Sequence, residues 1–187
     1  MNRSTIGLSC CAYATRTVTG TTVTFSDGVL LPGAVQADIS ITRDSVEKYG
    51  DNELLYSENY FRNGTLTLTQ VAWPDEDYAT LTGNECDNGI IRSIKEPNAP
   101  YVAFGMIDNT LKEASGSWSK SFTAVFLPKV KFTEGESSAQ TRGESTSFSD
   151  PRLIGTIYAD INGSWRETQT FDTYAEAETW LKTKMNI

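Results

Sequence analysis

The sequence predicts a mainly β protein: a β-sandwich or partial barrel with a short flanking helix and a helix near the C-terminus. The first observation is a strict alternation of apolar and polar side chains within residues 34–42, where every second residue from Val35 to Ile41 is apolar. The second is the recurrence of turn dipeptides, and the third is the abundance of threonine, a β-branched residue that strands favour. A chain of 187 residues has the length of one domain, here 1–187.

The strands are predicted in order along the chain. An N-terminal strand is expected over residues 6–14, although Ala12-Tyr13-Ala14 also imitates a signal-peptide cleavage site. Another strand is expected over 65–71. The most apolar segments, 121–127 and 153–161, are predicted to be central. Residues 165–171 should complete a hairpin with the preceding strand. Four dipeptides predict tight turns, namely Asp27-Gly28, Asn63-Gly64, Asn88-Gly89 and Asn162-Gly163.

Two helices are predicted from terminal signals. Pro74 can begin a short helix whose first turn is acidic, and Gly83 can end it. A C-terminal helix is expected over about 173–184, because Thr173 and Glu176 have capping-box spacing. Its apolar stripe continues through Ala177 and Leu181.

Two polar segments are predicted to be long loops. The first covers about 43–60 and contains scattered aromatic residues, and the second covers about 133–147 and is rich in Ser, Glu and Gly. Compact domains seldom keep such long loops without a use. They are expected either to be solvated surface loops or to become ordered against neighbours in an assembly.

Composition excludes several classes of function. Lys plus Arg is 16 and Asp plus Glu is 24, so the formal net charge is 16 − 24 = −8. Such an acidic chain is not expected to wrap nucleic acid. Without histidine there is no Ser-His-Asp or Cys-His machinery and no His-ligated metal. Three cysteines, Cys10, Cys11 and Cys86, are not expected to form a disulfide framework, because their number is odd and two of them are adjacent. No apolar run is long enough for a transmembrane helix.

Candidate chemical groups have simpler structural explanations. The acidic run 75–77 fits the first turn of a helix better than a metal site. Asp38, Asp160 and Glu167 lie on predicted strands, and nothing shows that any two of them converge as a glycosidase pair. Cys86 has no visible activator. We therefore expect no enzyme activity, no cofactor and no metal.

An ordered series of motifs carries a resemblance. It begins with Gly-Thr-Thr-Val-Thr-Phe at 20–25 and Leu-Pro-Gly-Ala-Val at 31–35, and continues with Asn-Gly-Thr-Leu-Thr-Leu at 63–68. Its sharpest part is Ala-Pro-Tyr-Val-Ala-Phe-Gly at 99–105, followed by Phe-Leu-Pro-Lys-Val at 126–130 and Leu-Ile-Gly-Thr-Ile at 153–157. In this order and spacing, over about residues 20–158, the chain resembles the major tail proteins of phages with long non-contractile tails, common in phages and prophages of Gram-positive bacteria.

The resemblance implies a fold and a structural function. Tail-tube subunits are β-sandwiches with a flanking helix; six close into a ring, and the rings stack into a tube that conducts DNA during ejection. It implies a homo-oligomer in the virion tail, made in the bacterial cytoplasm and not bound to a membrane. Expected partners are the tape-measure and tail-terminator proteins, and DNA passes through without specific binding.

The resemblance also gives the polar residues a place. Polar faces of two predicted strands become candidates for the tube lumen: Gln36, Asp38, Ser40, Thr156 and Asp160. An acidic lumen would repel phosphate and let DNA slide. The excursion at 43–60 becomes a candidate contact with the next ring through Asp44, Glu47, Tyr49, Asp51, Glu53 and Tyr56.

A second class of function stays open. A β-sandwich of this size is also typical of receptor- or carbohydrate-binding modules of virions and surface appendages. Trp118 and Trp165 stand beside predicted turns and could stack on sugar rings. Packing in the core or at a subunit contact is the favoured explanation of both tryptophans.

Overall fold

The structure is a computed structural model and describes residues 3–114, 116–136 and 150–187. In these residues ten strands and two helices follow one another, and mainly β architecture is confirmed. The strands are β1 (Arg3–Thr19), β2 (Thr22–Leu31), β3 (Ala34–Gly50), β4 (Glu53–Gln70), β5 (Glu85–Asp87), β6 (Ile90–Arg92), β7 (Tyr101–Ala114), β8 (Ser117–Glu134), β9 (Arg152–Ile157) and β10 (Glu167–Phe171). The helices are α1 (Asp75–Thr82) and α2 (Tyr174–Met185).

Eight of the strands form one antiparallel sheet: seven follow the order β2-β1-β7-β8-β9-β4-β3, and the eighth, β10, pairs with β8. At its centre, β8 pairs with β7 along one side, and on its other side with β10 and then β9. The apolar segments predicted to be central therefore lie in or beside the central strand. A separate two-stranded hairpin, β5–β6, follows α1 and turns at Asn88-Gly89 as predicted.

The sheet curls around one apolar core and carries a helix on its other side. Inside the curl, buried residues of six strands pack together, including Phe104, Phe132 and Leu66. On the opposite side, α2 covers a second cluster that contains Ile107 and Phe126. A curled sheet of this kind matches the predicted sandwich or partial barrel.

The helix lies close to the sheet because the residues beneath it are small. A Cβ added to Gly105 would lie 2.5 Å from Leu181 Cδ1, so glycine permits this approach. Four buried alanines surround it, namely Ala12, Ala14, Ala103 and Ala124. The predicted cap is present, since Thr173 Oγ1 accepts a hydrogen bond from the Glu176 amide at 3.4 Å. The predicted C-terminal helix is thus confirmed as α2.

Strand β8 changes faces part-way along its length. Val125 and Leu127 point into the curled core, whereas further on Val130 and Phe132 do so. The register shifts between Val102 and Phe104 of β7, where Pro128 of β8 cannot donate to the ladder. Beyond this bulge, α2 no longer covers the outer side of the sheet, and Lys129 and Lys131 lie there instead.

Several local predictions are wrong. Residues 43–60 are not a loop: β3 and β4 continue as a long hairpin that turns at Asp51-Asn52, both of which have positive φ. The hairpin forms because this two-residue turn sets the register of both strands. In the second predicted loop, residues 133–134 belong to β8, and residues 137–149 lie outside the described residues.

The predictions for 153–171 also need correction. The strand ends at Ile157, and residues 160–164 form a turn in which the Asp160 amide donates to the Ser164 carbonyl. The next strand, β10, then pairs with β8 rather than with β9. Two predicted turns, Asp27-Gly28 and Asn63-Gly64, lie within β2 and β4 beside register shifts.

Candidate functional site

One outer side of the sheet brings together most of the predicted lumen residues. Ser40 pairs with Thr65 and Thr65 with Thr156, so these three residues form one row across β3, β4 and β9. In the next rows along β3, Asp38 pairs with Thr67 and Gln36 pairs with Thr69. Gln36 donates a hydrogen bond of 2.7 Å to Asp38.

Alternation explains why this side is polar. The intervening residues point into the core, where Leu66, Leu68, Leu153 and Ile157 are all fully buried. Because side chains alternate across a strand, the hydroxyl groups of the segments 36–42, 63–69 and 152–157 lie on the opposite side. We name this side the polar face. It comprises the outward residues of the segments 36–42, 63–69, 129–133 and 152–158.

Asp160 does not join the polar face. It follows the end of β9, and its carboxylate forms an ion pair with the guanidinium of Arg16 on β1. Both side chains are only 5% exposed. The assumption that the strand reached residue 161 misplaced Asp160, whose charge instead ties the turn at 160–164 to β1.

The polar face is basic rather than acidic. In its four segments the charged residues are Lys129, Lys131, Arg152 and Asp38, a balance of 3 − 1 = +2 in a chain of net charge −8. Sequence reasoning missed these cations because it assigned only β3 and β9 to this side. The alternation Lys-Val-Lys at 129–131 was the available signal.

Aromatic rings lie beside the two lysines. Lys129 Nζ lies 4.7 Å from the ring centre of Tyr101 and 5.8 Å from that of Tyr158, and Lys131 Nζ lies 5.6 Å from that of Tyr101. The two rings meet edge to face at 5.8 Å. Cation–π attraction of this kind restrains an ammonium without neutralising it.

The second candidate region is the distal part of the β3–β4 hairpin, residues 43–61, which we name the arm. All six predicted inter-ring residues lie on it: Asp44, Glu47, Tyr49, Asp51, Glu53 and Tyr56. Asp44 lies 3.6 Å from Arg62. Tyr49 donates a 2.7 Å hydrogen bond to Glu47, which raises the pKa of the Tyr49 hydroxyl. Tyr56 donates likewise to Glu58, and its pKa is raised for the same reason.

The arm exposes large apolar side chains. Six of them are between 49% and 65% exposed, namely Val46, Tyr49, Leu54, Leu55, Tyr56 and Tyr60. Four of these six residues were not among the predicted contact residues, namely Val46, Leu54, Leu55 and Tyr60. Such a concentration on a two-stranded projection is typical of an interaction surface.

The two tryptophans proposed as sugar-binding residues differ in their surroundings. Trp165 stacks face to face on Phe61 at 4.8 Å, with the Arg166 guanidinium over its ring, whereas Trp118 is 52% exposed.

Burial raises the pKa of Cys11 to about 12, which makes it a poor nucleophile. Within the described residues there is no group of three or more His, Cys, Asp or Glu that could hold a metal ion.

Comparison with known proteins does not identify a family. The chain matches no family model and no curated protein. In the part of the chain that the structure describes, no helix is long and apolar enough to cross a membrane. The arguments for function therefore rest on the fold, the polar face and the arm.

Proposed function

We propose that this chain is a structural virion protein that assembles into stacked hexameric rings and forms the tube of a phage tail, a conduit for DNA ejection. It acts without catalysis or a cofactor. Its partners are further copies of itself and the tape-measure and tail-terminator proteins. The observation that carries the proposal is the arm, because its exposed apolar side chains need a partner surface.

The edges of the sheet support assembly. Strand β3 is an edge strand of 17 residues, and β2 forms the other edge. Long unpaired edges are a liability in a free monomer, since they pair readily with other chains. Two different edges on one subunit allow a head-to-tail contact that repeats, and such contacts close into rings when the rotation permits.

The arm then supplies a contact that the ring edges do not. Its turn at Asp51-Asn52 lies far from the core, because eight residue pairs separate it from the pair Thr42–Asn63. At about 3.4 Å per residue, a projection of eight residues reaches roughly 27 Å. This reach suits a contact with a neighbouring subunit in the same ring or in the next one.

The polar face fits the wall of a channel. Gln36, Asp38, Ser40 and Thr156 present short polar side chains on a pleated surface, which favours hydration over tight packing. We assign these four residues to the lumen and leave Asp160 out, because its carboxylate is buried with Arg16.

A binding module is the weaker alternative. Of its two candidate tryptophans, Trp165 is stacked within the protein, and Trp118 remains. One exposed tryptophan does not make a sugar platform without neighbouring polar groups that fix the ligand. Glycan binding by a protein that never assembles would favour this alternative.

Shortening the arm tests the proposal. Deleting residues 44–58 leaves Asn59 and Tyr60 as a two-residue connection between the paired Arg43 and Phe61. A Tyr60→Gly substitution makes this connection Asn-Gly, which suits a tight hairpin. We expect negative-stain microscopy to show rings or tubes of uniform width for the full chain and their loss in the shortened one.

Two matched double variants distinguish the contribution of the arm's apolar side chains to assembly from the effect of replacing any exposed apolar residues. Leu54→Asn with Leu55→Asn should impair assembly, whereas Ile90→Asn with Ile94→Asn should not, although Ile90 and Ile94 are also exposed. Normal tubes from the shortened arm would show that the arm is dispensable. Equal damage from both pairs would remove the argument from its apolar residues.

A further inference from the structure

The polar face concentrates positive charge in an acidic protein. Its segments carry +2, so the remainder of the chain carries −8 − 2 = −10. Within the described residues, no carboxylate oxygen lies within 4.0 Å of Lys129, Lys131 or Arg152. Arg152 is exposed and both lysines are half-buried, so their charged ends can reach an external anion.

The cations lie on a surface that also offers hydroxyl donors. Lys131 is in the same row as Thr156, Thr65 and Ser40, and Arg152 is in the row of Thr69 and Gln36. Lys129 and Lys131 are two residues apart on one strand, about 6.7 Å from each other. Ser and Thr hydroxyls and Lys and Arg side chains are common partners of phosphate oxygens in protein–DNA contacts.

We propose that the polar face makes transient, sequence-independent contacts with the phosphate backbone of duplex DNA through Lys129, Lys131 and Arg152. This inference rests on the proposed tube, in which the polar face lines the channel. It replaces the expectation of a lumen that only repels DNA. The polar face itself spans four neighbouring strands, β3, β4, β9 and β8, and a sheet of this breadth does not fit into a groove, so the face contacts the backbone and does not read bases.

The small number of cations makes the contact weak. Each neutralised phosphate contributes about −0.9 to the slope of log K against log salt concentration, so the three cations of one subunit give about −2.7. The slope steepens in proportion when several subunits of a ring contact the same duplex. The ten net negative charges elsewhere on the chain oppose binding further. Weak contacts that exchange rapidly let DNA move while its charge is partly screened by the wall.

Binding of a fluorescent 20-base-pair duplex, followed by anisotropy between 20 and 200 mM salt, tests the proposal. We expect measurable binding at low salt with a slope of about −2.7 for each subunit that contacts the duplex. The triple variant Lys129→Gln, Lys131→Gln, Arg152→Gln should lose most of the binding and of the slope. A matched control, Arg92→Gln, Lys95→Gln, Lys120→Gln, removes the same charge from exposed sites off the face and should bind like the unchanged chain.

The outcomes separate this inference from the proposed function. The same samples are imaged, so tubes without DNA binding would overturn the inference and leave the tube standing. DNA binding by a protein that forms no assembly would support the basic face and count against the tube. Equal loss in both triple variants, or equal competition by polyglutamate of matched charge, would show a general charge effect and overturn the inference.

Discussion

The buried ion pair between Arg16 and Asp160 gives a sharp test of the packing. Both side chains are 5% exposed, and the pair joins β1 to the turn after β9. Replacing Asp160 with Asn keeps the size of the side chain but leaves the Arg16 guanidinium buried without its counter-charge. Breaking one partner of a buried pair typically destabilises a protein by about 3–5 kcal/mol.

This loss is large enough to measure by melting temperature. For a domain of about this size, each kcal/mol shifts Tm by roughly 2–4 °C, so we expect Asp160→Asn to lower Tm by about 6–20 °C. Among the described residues, Arg16 Nε has no hydrogen-bond partner, so the intact pair is incompletely satisfied. Replacing both charges, as in Arg16→Met with Asp160→Leu, should therefore be about neutral or stabilising.

Urea unfolding followed by tryptophan fluorescence measures these differences. The shortened-arm chain is the suitable background, because assembly would otherwise add to apparent stability. As a control that this background retains, Glu178→Gln breaks the 2.8 Å surface ion pair with Lys182 one helical turn away and should change the free energy of unfolding by less than about 0.5 kcal/mol. A loss below about 1 kcal/mol in Asp160→Asn, or a double variant as unstable as the single one, would refute the reasoning.

Three further predictions concern the core and the cysteines. Leu181→Ala, which removes a fully buried side chain between α2 and the sheet, should cost about 2–5 kcal/mol in urea unfolding. A thiol reagent at pH 8 should label the exposed Cys86 in the folded chain and reach the buried Cys11 only on unfolding; rapid labelling of Cys11 would contradict its burial. Because burial raises the pKa of Cys11 from 9.0 to about 12, its stabilising effect is complete below pH 9 and is lost as pH rises towards 12. Unfolding free energy should therefore fall less steeply over this range in Cys11→Ala, and identical pH profiles would contradict the assignment.

The sequence predicted the elements whose burial is one-sided. Residues 34–42 alternate because one side faces the core, and α2 was visible from its cap at Thr173 and its apolar stripe. Such patterns reflect local chemistry, so one strand or one helix is enough to show them.

The arm could not be predicted in the same way. Both of its sides are exposed, so no alternation distinguishes its strands from a loop, and only the turn at Asp51-Asn52 gave a local signal. The composition of the polar face depends on pairing between β8 and β9, which are distant in sequence from β3. The position of Asp160 also depends on where β9 ends, because a β9 that reached residue 161 would have placed Asp160 on the same side of the sheet as Thr156.

A reconstruction of the assembled protein by electron cryomicroscopy tests the central claim most directly. We expect a hollow tube of stacked six-subunit rings in which Gln36, Asp38, Ser40 and Thr156 face the axis and the arm contacts a neighbouring subunit. A tube in which the polar face points outwards would contradict the assignment of the lumen. A protein that stays monomeric at every concentration, even when offered preformed tail-tip complexes as initiators, would contradict the proposed function itself.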